Sequence, residues 1–444
     1  MTIVSADVPR TPSEEPGGLV ALGPGPSIDL VRDFSKSRGE PDWMLRLRLR
    51  ALDRMRSEGV PAWASFLRDV EFDGMVQAEG TPRASIVEAR EPGLSPGLGA
   101  LEESEAAYRA VRSDLESQGV FFRGLASAVE ENPNLVKSHF ATAVAVDDHP
   151  IAALNAALWS GGSFLYVPPG VRVEIPLQAE IREDYAKVQP FERNVIVADR
   201  ASDVTYIEGC TAPVYTPDHL HVSAIEVIAM PGSYVRYIAL QNFSREVDNL
   251  VTKRALVHEA ATVEWIDANL GSRRTWKIPR AELLGPGASA EFVGVALAGK
   301  GQHEDVGAEM VHIAPRTRST IVNRGIVQGG GRATLRSAVR VTPGATGVGS
   351  KVEWSSLMLD AESRAETVPA IELDEADAEI IQEGSVRKVS DEMLFYMASR
   401  GVTKEEALRM VVLGTAEVVT KRIPVEYAVE VDRLIELELG GGVG

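Results

Sequence analysis

Few side chains in this chain could carry chemistry, and the most prominent is a single cysteine. Cys210 stands in the phrase Tyr206-Ile207-Glu208-Gly209-Cys210-Thr211-Ala212-Pro213. A lone thiol makes no internal disulfide and cannot by itself supply a Cys-rich zinc or iron-sulfur site. It could act as a nucleophile if a nearby cation lowered its pKa from about 8.5, and Lys253 or Arg254 could supply that charge. The competing role is a small buried hydrophobe. Among seven histidines none forms His-Glu-x-x-His. His219 and His221 lie two apart, so in a strand both face one side and could share a metal, although surface or core packing is the commoner use. No Gly-x-Ser-x-Gly elbow is present. The stretch Gly294-Val295-Ala296-Leu297-Ala298-Gly299-Lys300 satisfies most of a phosphate-binding loop, but Gly301 stands where a hydroxyl should meet magnesium and no helix opens there.

The elements that must position these residues are mostly extended. A short phrase, a small residue followed by alternating apolar side chains, begins at Gly170, Ala201, Gly232, Ala260, Gly287, Arg316, Gly344 and, more weakly, Ala376. Successive starts are 31, 31, 28, 27, 29, 28 and 32 residues apart, a period that predicts a β-solenoid. A β-sandwich, the rival architecture, would show turn signals every 8 to 12 residues without a longer repeat. Isolated coils could not fold. Burying a Val or Leu contributes about 1.5 to 3 kcal/mol, against about 1 to 2 kcal/mol per residue for ordering the backbone, so stability must come from stacking.

Helical patterns flank the repeats. From Asp29 to about Asp69 apolar residues recur near helical spacing; Leu45, Leu47 and Leu49 alternate with arginines as a strand would, but length and good helix formers favour helix. A second helical stretch is expected from about Ser104 to Trp159. Helix signals resume at Ser390 and at Thr403-Lys404-Glu405-Glu406, a capping-box spacing, with Pro424 near the start of a third helix. The expected division is a tail at 1–28, a mainly helical region at 29–159 with a linker near 71–100, a β-solenoid core at 160–389, a helical unit at 390–439 and a tail at 440–444.

Composition narrows the function classes. The 444 residues include 46 Lys plus Arg and 64 Asp plus Glu, for a net charge of −18, which argues against nucleic acid or an anionic membrane as partner. No apolar run is long enough to span a bilayer. The first residues lack a basic start and an apolar core, so no secretory signal is read there, and with one cysteine a reducing cytoplasm is expected.

Several long phrases resemble one family. Trp159-Ser160-Gly161-Gly162-Ser163-Phe164, Val167-Pro168-Pro169-Gly170-Val171, Glu174-Ile175-Pro176-Leu177-Gln178, Phe191-Glu192-Arg193, the Cys210 phrase, Asn249-Leu250-Val251-Thr252-Lys253-Arg254 and Ala298-Gly299-Lys300-Gly301-Gln302-His303 resemble the SufB branch of the SufB/SufD family, which assembles iron-sulfur clusters in the SUF system. The resemblance runs from about Glu40 to Glu430. It implies a mainly β fold, a right-handed parallel β-helix between helical ends, in a scaffold that is not itself an enzyme. It also implies that Cys210 accepts sulfur from a donor protein, with Arg182, Gln241 and Lys253 along a polar internal route and a transient iron-sulfur cluster as cargo. The implied partners are a SufC-type ATPase at the C-terminal helices and a SufD-type or SufB-type subunit along the β-helix edge; some relatives also bring in reduced flavin.

Two departures complicate the transfer. Trp354 stands where the family usually has a second cysteine, and an indole offers only an N–H donor. The familiar His-Glu-Ala phrase reads Gln382-Glu383-Gly384, which leaves Glu383 as the remaining metal-ligand candidate. These changes keep open a SufD-like paralogue that ligates no cluster. A β-solenoid enzyme, such as a lyase or acyltransferase, is the more distant alternative.

Overall fold

A computed structural model describes residues 19–20, 25–69, 114–182, 191–212 and 219–440. Its centre is a parallel β-solenoid of about seven turns with helices at both ends of the chain. The strands alternate between two sheets. The first runs Ser163–Val167, Phe191–Ala198, His219–Ala229, Val247–Val257, the split pair Arg274–Lys277 and Arg280–Leu283, His303–His312, Arg332–Val341 and Arg364–Leu373. The second runs Leu177–Arg182, Asp203–Ala212, Tyr234–Phe243, Thr262–Gly271, Ser289–Ala298, Arg318–Val327, Gly349–Met358 and Glu379–Lys388. Every pairing along these stacks is parallel; one antiparallel strand, Phe121–Gly124, caps the first sheet against Ser163–Val167.

The repeat seen in the sequence is a column of corners. Gly170, Ala201, Gly232, Ala260, Gly287 and Arg316 all have positive φ, between 52° and 75°. Each donates its N–H to a carbonyl one coil on, as Ala201 does to Pro231 and Ala260 to Pro286, so the corners form their own hydrogen-bond ladder. Ala201, Ala260 and Arg316 accept the left-handed conformation that glycine takes freely. Arg316 N–H bonds the carbonyl of Thr346, which makes Gly347 the equivalent of the earlier corners. The expected start at Gly344 is therefore three residues early, because this turn is longer.

Alternation then sorts the side chains. Inward positions such as Val204, Tyr206, Val235, Tyr237, Val263, Trp265, Phe292 and Ile321 form one continuous core inside the tube. The outer faces are covered by different helices. Pro150–Leu158 and Asp42–Glu58 pack on Phe191, Leu220, Val222, Leu250 and Trp276 of the first sheet. Lys404–Thr420 and Val425–Leu439 fold back onto Ile207, Ile238, Ile266, Val293, Val295 and Ile326 of the second.

Some local expectations change. The Leu-Arg alternation at 45–50 lies inside the helix Asp42–Glu58, with Met44, Arg48, Ala51, Leu52 and Met55 as its buried stripe. The stretch expected to be helical toward Trp159 contains a helical turn at 114–117, the strand Phe121–Gly124 and then three short helices, and its first residues lie outside the described ones, as does the expected linker near 71–100. Within the expected N-terminal tail, Leu19–Val20 pairs with Val60–Pro61. The phosphate-loop look-alike is the strand Ser289–Ala298 with its following turn, where Gly299 N–H is capped by Gln302.

Candidate functional site

The parallel register turns the inner face of the second sheet into columns. One is aromatic and apolar: Leu177, Tyr206, Tyr237, Trp265, Phe292, Ile321 and Val352. Tyr206 and Tyr237 stack at 5.2 Å, and Trp265 meets Tyr237 edge-on at 5.3 Å. Two residues along each strand, the next column reads Glu208, Ala239, Asp267, Gly294, Asn323, Trp354 and Gly384. A third reads Cys210, Gln241, Asn269, Ala296, Gly325, Ser356 and Val386. The second column alternates acidic or amide residues with small ones as far as Trp354, and the third places Gln241 and Asn269 beside Ala296 and Gly325, so this side of the interior is more polar than the aromatic one.

Cys210 is in register with Ile181 on one side and Gln241 on the other. It shares strand parity with Val204 and Tyr206, both in the inner core. Gln241 begins a buried hydrogen-bonded run: its amide nitrogen donates to Ser272 and Thr275 at 3.1 and 3.2 Å, and its oxygen accepts from Asn249 at 2.6 Å. Asn249 meets His221 at 2.7 Å, and Thr275 donates to Glu304 at 3.2 Å. His221 is thus held in a polar interior network.

Lys253 also lies inside the tube, fully buried. Its Nζ is 2.7 Å from Asp267 and 4.8 Å from the Tyr237 ring centre, while Lys277 approaches the other Asp267 oxygen at 3.9 Å. Arg254, the alternative cation for the thiol, points to the outside and binds Asp148 at 2.8 Å, because the residue after an inward lysine must face outward. Glu304 is buried among these groups, and desolvation pushes its pKa up to about 8. Glu304 Oε2, Asn269 Oδ1, Asn323 Oδ1 and Ser356 Oγ have no hydrogen-bond partner among the described residues. Buried polar atoms of this kind are rare in proteins, and these four lie inside the tube between the coil of Asn269 and the coil of Trp354.

The remaining candidates separate from this group. Arg182 is in register with Thr211, at the parity of Gln178, whose side chain meets Tyr427 of the outer helix at 2.8 Å. Glu383 is exposed, in register with Glu353, which lies outside the tube in an ion pair with Arg324. No group of three or more His, Cys, Asp or Glu suited to a metal occurs among the described residues. Asp267, Asn269, Lys277, Glu304 and Asn323 were not singled out from the sequence. The signal was present: seven residues after each corner from Ala201 to Gly347 come Glu208, Ala239, Asp267, Gly294, Asn323 and Trp354, and nine after come Cys210, Gln241, Asn269, Ala296, Gly325 and Ser356.

Comparison with known proteins agrees with this architecture. Residues 181–415 match the family described as "SUF system FeS cluster assembly, SufBD core domain", and residues 104–179 match "SufBD protein N-terminal region". The chain is 42% identical over 439 residues to the iron-sulfur cluster assembly protein SufB of Bacillus subtilis, covering 95% of this chain and 94% of that protein. Identity and coverage are the same for an iron-sulfur cluster assembly SufBD family protein of Staphylococcus haemolyticus.

Proposed function

Because the chain belongs to the SufBD family of SUF iron-sulfur cluster assembly proteins, we propose that it is a SufB-like subunit that accepts sulfur at Cys210 and supports assembly of a nascent cluster. The accepting step is thiol exchange. The Cys210 thiolate attacks the outer sulfur of a donor-protein persulfide, a new S–S bond forms on Cys210, the donor's S–S bond breaks, and the donor leaves as a thiolate. No electrons are gained or lost overall.

The observation that carries this reading is the line of polar and small inner-face residues that starts beside Cys210 and runs under Asp267, Asn269, Glu304 and Asn323. Lys253 and Lys277 place ammonium groups along it, suited to an anionic sulfur species, while Gln241 ties the Cys210 register position to Thr275 and Glu304. The chain works as a scaffold, with ATP hydrolysis in a partner. Exposed Phe395, Tyr396 and Met410 on the C-terminal helices suit a SufC-type ATPase. The open strands Arg364–Leu373 and Glu379–Lys388, with exposed Ile371, Leu373 and Val386, suit a SufD-type or SufB-type subunit. Among the described residues no helix is long and apolar enough to cross a membrane, and a cytoplasmic setting rests on the single cysteine.

A second reading, a SufD-like subunit that ligates no cluster, is favoured by Trp354 in place of a thiolate and by the outward setting of Glu353 beside Glu383. Under either reading cluster ligands come largely from a partner. Incubation of the full chain with a persulfide-bearing donor, followed by intact mass measurement, separates the two. The SufB-like reading expects a gain of one sulfur atom in the wild type and none in Cys210→Ser. Equal labelling of both, or of neither, would overturn it.

A further inference from the structure

The polar line inside the tube ends at one side chain. Trp354 is in register with Asn323 on its inner side and Gly384 on its outer side. A Cβ placed on Gly384 would lie 2.0 Å from both Cε2 and Cζ2 of the indole and 2.6 Å from Cδ2. The ring therefore lies across the space a side chain of the next coil would fill, and only glycine can sit beneath it. On its inner side the ring packs against Ala296, Val306 and Leu335.

Exposure changes abruptly across the ring. Inside it, Asn323 is 1% and Leu335 2% exposed; in the last coil Ile371 is 43%, Leu373 46% and Val386 45% exposed. The indole nitrogen is buried without a hydrogen-bond partner among the described residues, so no polar contact fixes the ring's orientation, and shape holds it in place. A ring held by packing alone can turn when its neighbours move.

We propose that Trp354, seated on Gly384, is a stopper that separates the polar interior of the β-helix from its open end, so that small solutes pass between them only when the indole turns aside. The buried polar column and the exposed mouth are then separated by this one ring. The inference concerns access alone and stands whether or not Cys210 carries sulfur.

Thiol labelling of the full chain tests it. In a Cys210→Ser background, Asn323→Cys puts the only thiol just inside the ring and Gln382→Cys puts it just outside; iodoacetamide is the probe. With Trp354 present, Asn323→Cys is expected to react about 100-fold more slowly than Gln382→Cys, the protection given by a barrier that must open locally. Trp354→Ala should speed labelling at Asn323→Cys about tenfold or more while leaving Gln382→Cys within about twofold. Ala296→Cys, a small replacement in contact with the ring, is the second inside reporter if Asn323→Cys does not fold. Equal rates inside and outside with Trp354 in place, or no acceleration of the inside reporter by Trp354→Ala, would overturn the stopper.

Discussion

Gly384→Ala adds one methyl group where a ring already lies. Its new carbon would sit 2.0 Å from two indole atoms, whereas non-bonded carbons prefer about 3.5–4.0 Å, so the ring must retreat by more than ~1 Å. Over-packing of this kind typically costs about 1–3 kcal/mol. The sign should reverse once the ring is gone. Alanine is favoured over glycine within a strand by about 0.5–1 kcal/mol, so in a Trp354→Ala background Gly384→Ala should be neutral or stabilising. Trp354→Ala itself should lose less than the roughly 3–5 kcal/mol of a fully buried tryptophan, since the ring is only half-buried. The double variant should therefore be more stable than the sum of the single losses by about 1–4 kcal/mol. Urea unfolding of the full chain followed by circular dichroism gives the energies, and hydrogen exchange in residues 349–358 and 379–388 localises them, because stacked coils need not unfold all at once. Additivity of the two substitutions within about 0.5 kcal/mol would refute the contact.

Lys253→Met should cost about 3–5 kcal/mol by leaving Asp267 buried beside an apolar chain, and Lys253→Met with Asp267→Leu should recover most of it in the same urea assay. Glu304 holds its proton more tightly folded than unfolded, so between pH 6.5 and 8 it should make stability fall with rising pH by up to about 1.4 kcal/mol per unit. Glu304→Gln should flatten that slope, and an unchanged slope would place the titration elsewhere. Ala260→Gly relieves a left-handed corner at φ 53° and should raise the thermal midpoint slightly, since a strain of about 1–2 kcal/mol exceeds the roughly 0.5–1 kcal/mol lost to the freer unfolded chain.

The solenoid was legible because its corners recur in sequence, and they recur because a left-handed residue must stand at every turn of the tube. The same ladder explains the three-residue error at Gly344: an extended turn supplied a second glycine, and only the hydrogen bond from Arg316 to Thr346 identifies Gly347 as the equivalent corner. Cys210 and Gln241 could be picked out individually, but their adjacency required a register that links residues about thirty apart. By sequence Lys253 could supply an activating charge to the thiol, yet it pairs with Asp267, fourteen residues on in sequence and brought across the tube by the coil. Arg254 shows the reverse limit, since moving one position along a strand changes the face of the sheet. Glu383 had the right chemistry for a ligand, and its strand parity set it beside Glu353.

The two helical flanks alter how this stack can come apart. Tyr427 reaches Gln178 at 2.8 Å, Arg422 holds Glu291, and Glu438 binds Arg245 at 2.8 Å, so the end of the chain is stitched back over coils that precede it by more than 100 residues. The last two strands, Arg364–Leu373 and Glu379–Lys388, lie beyond that seam with most of their residues exposed. Unravelling should therefore start at this loose hem and stop at the stitching. A protease given brief access would trim within the hem first, and an adjoining subunit that covered it would lend the whole stack the endurance its sewn portion already has.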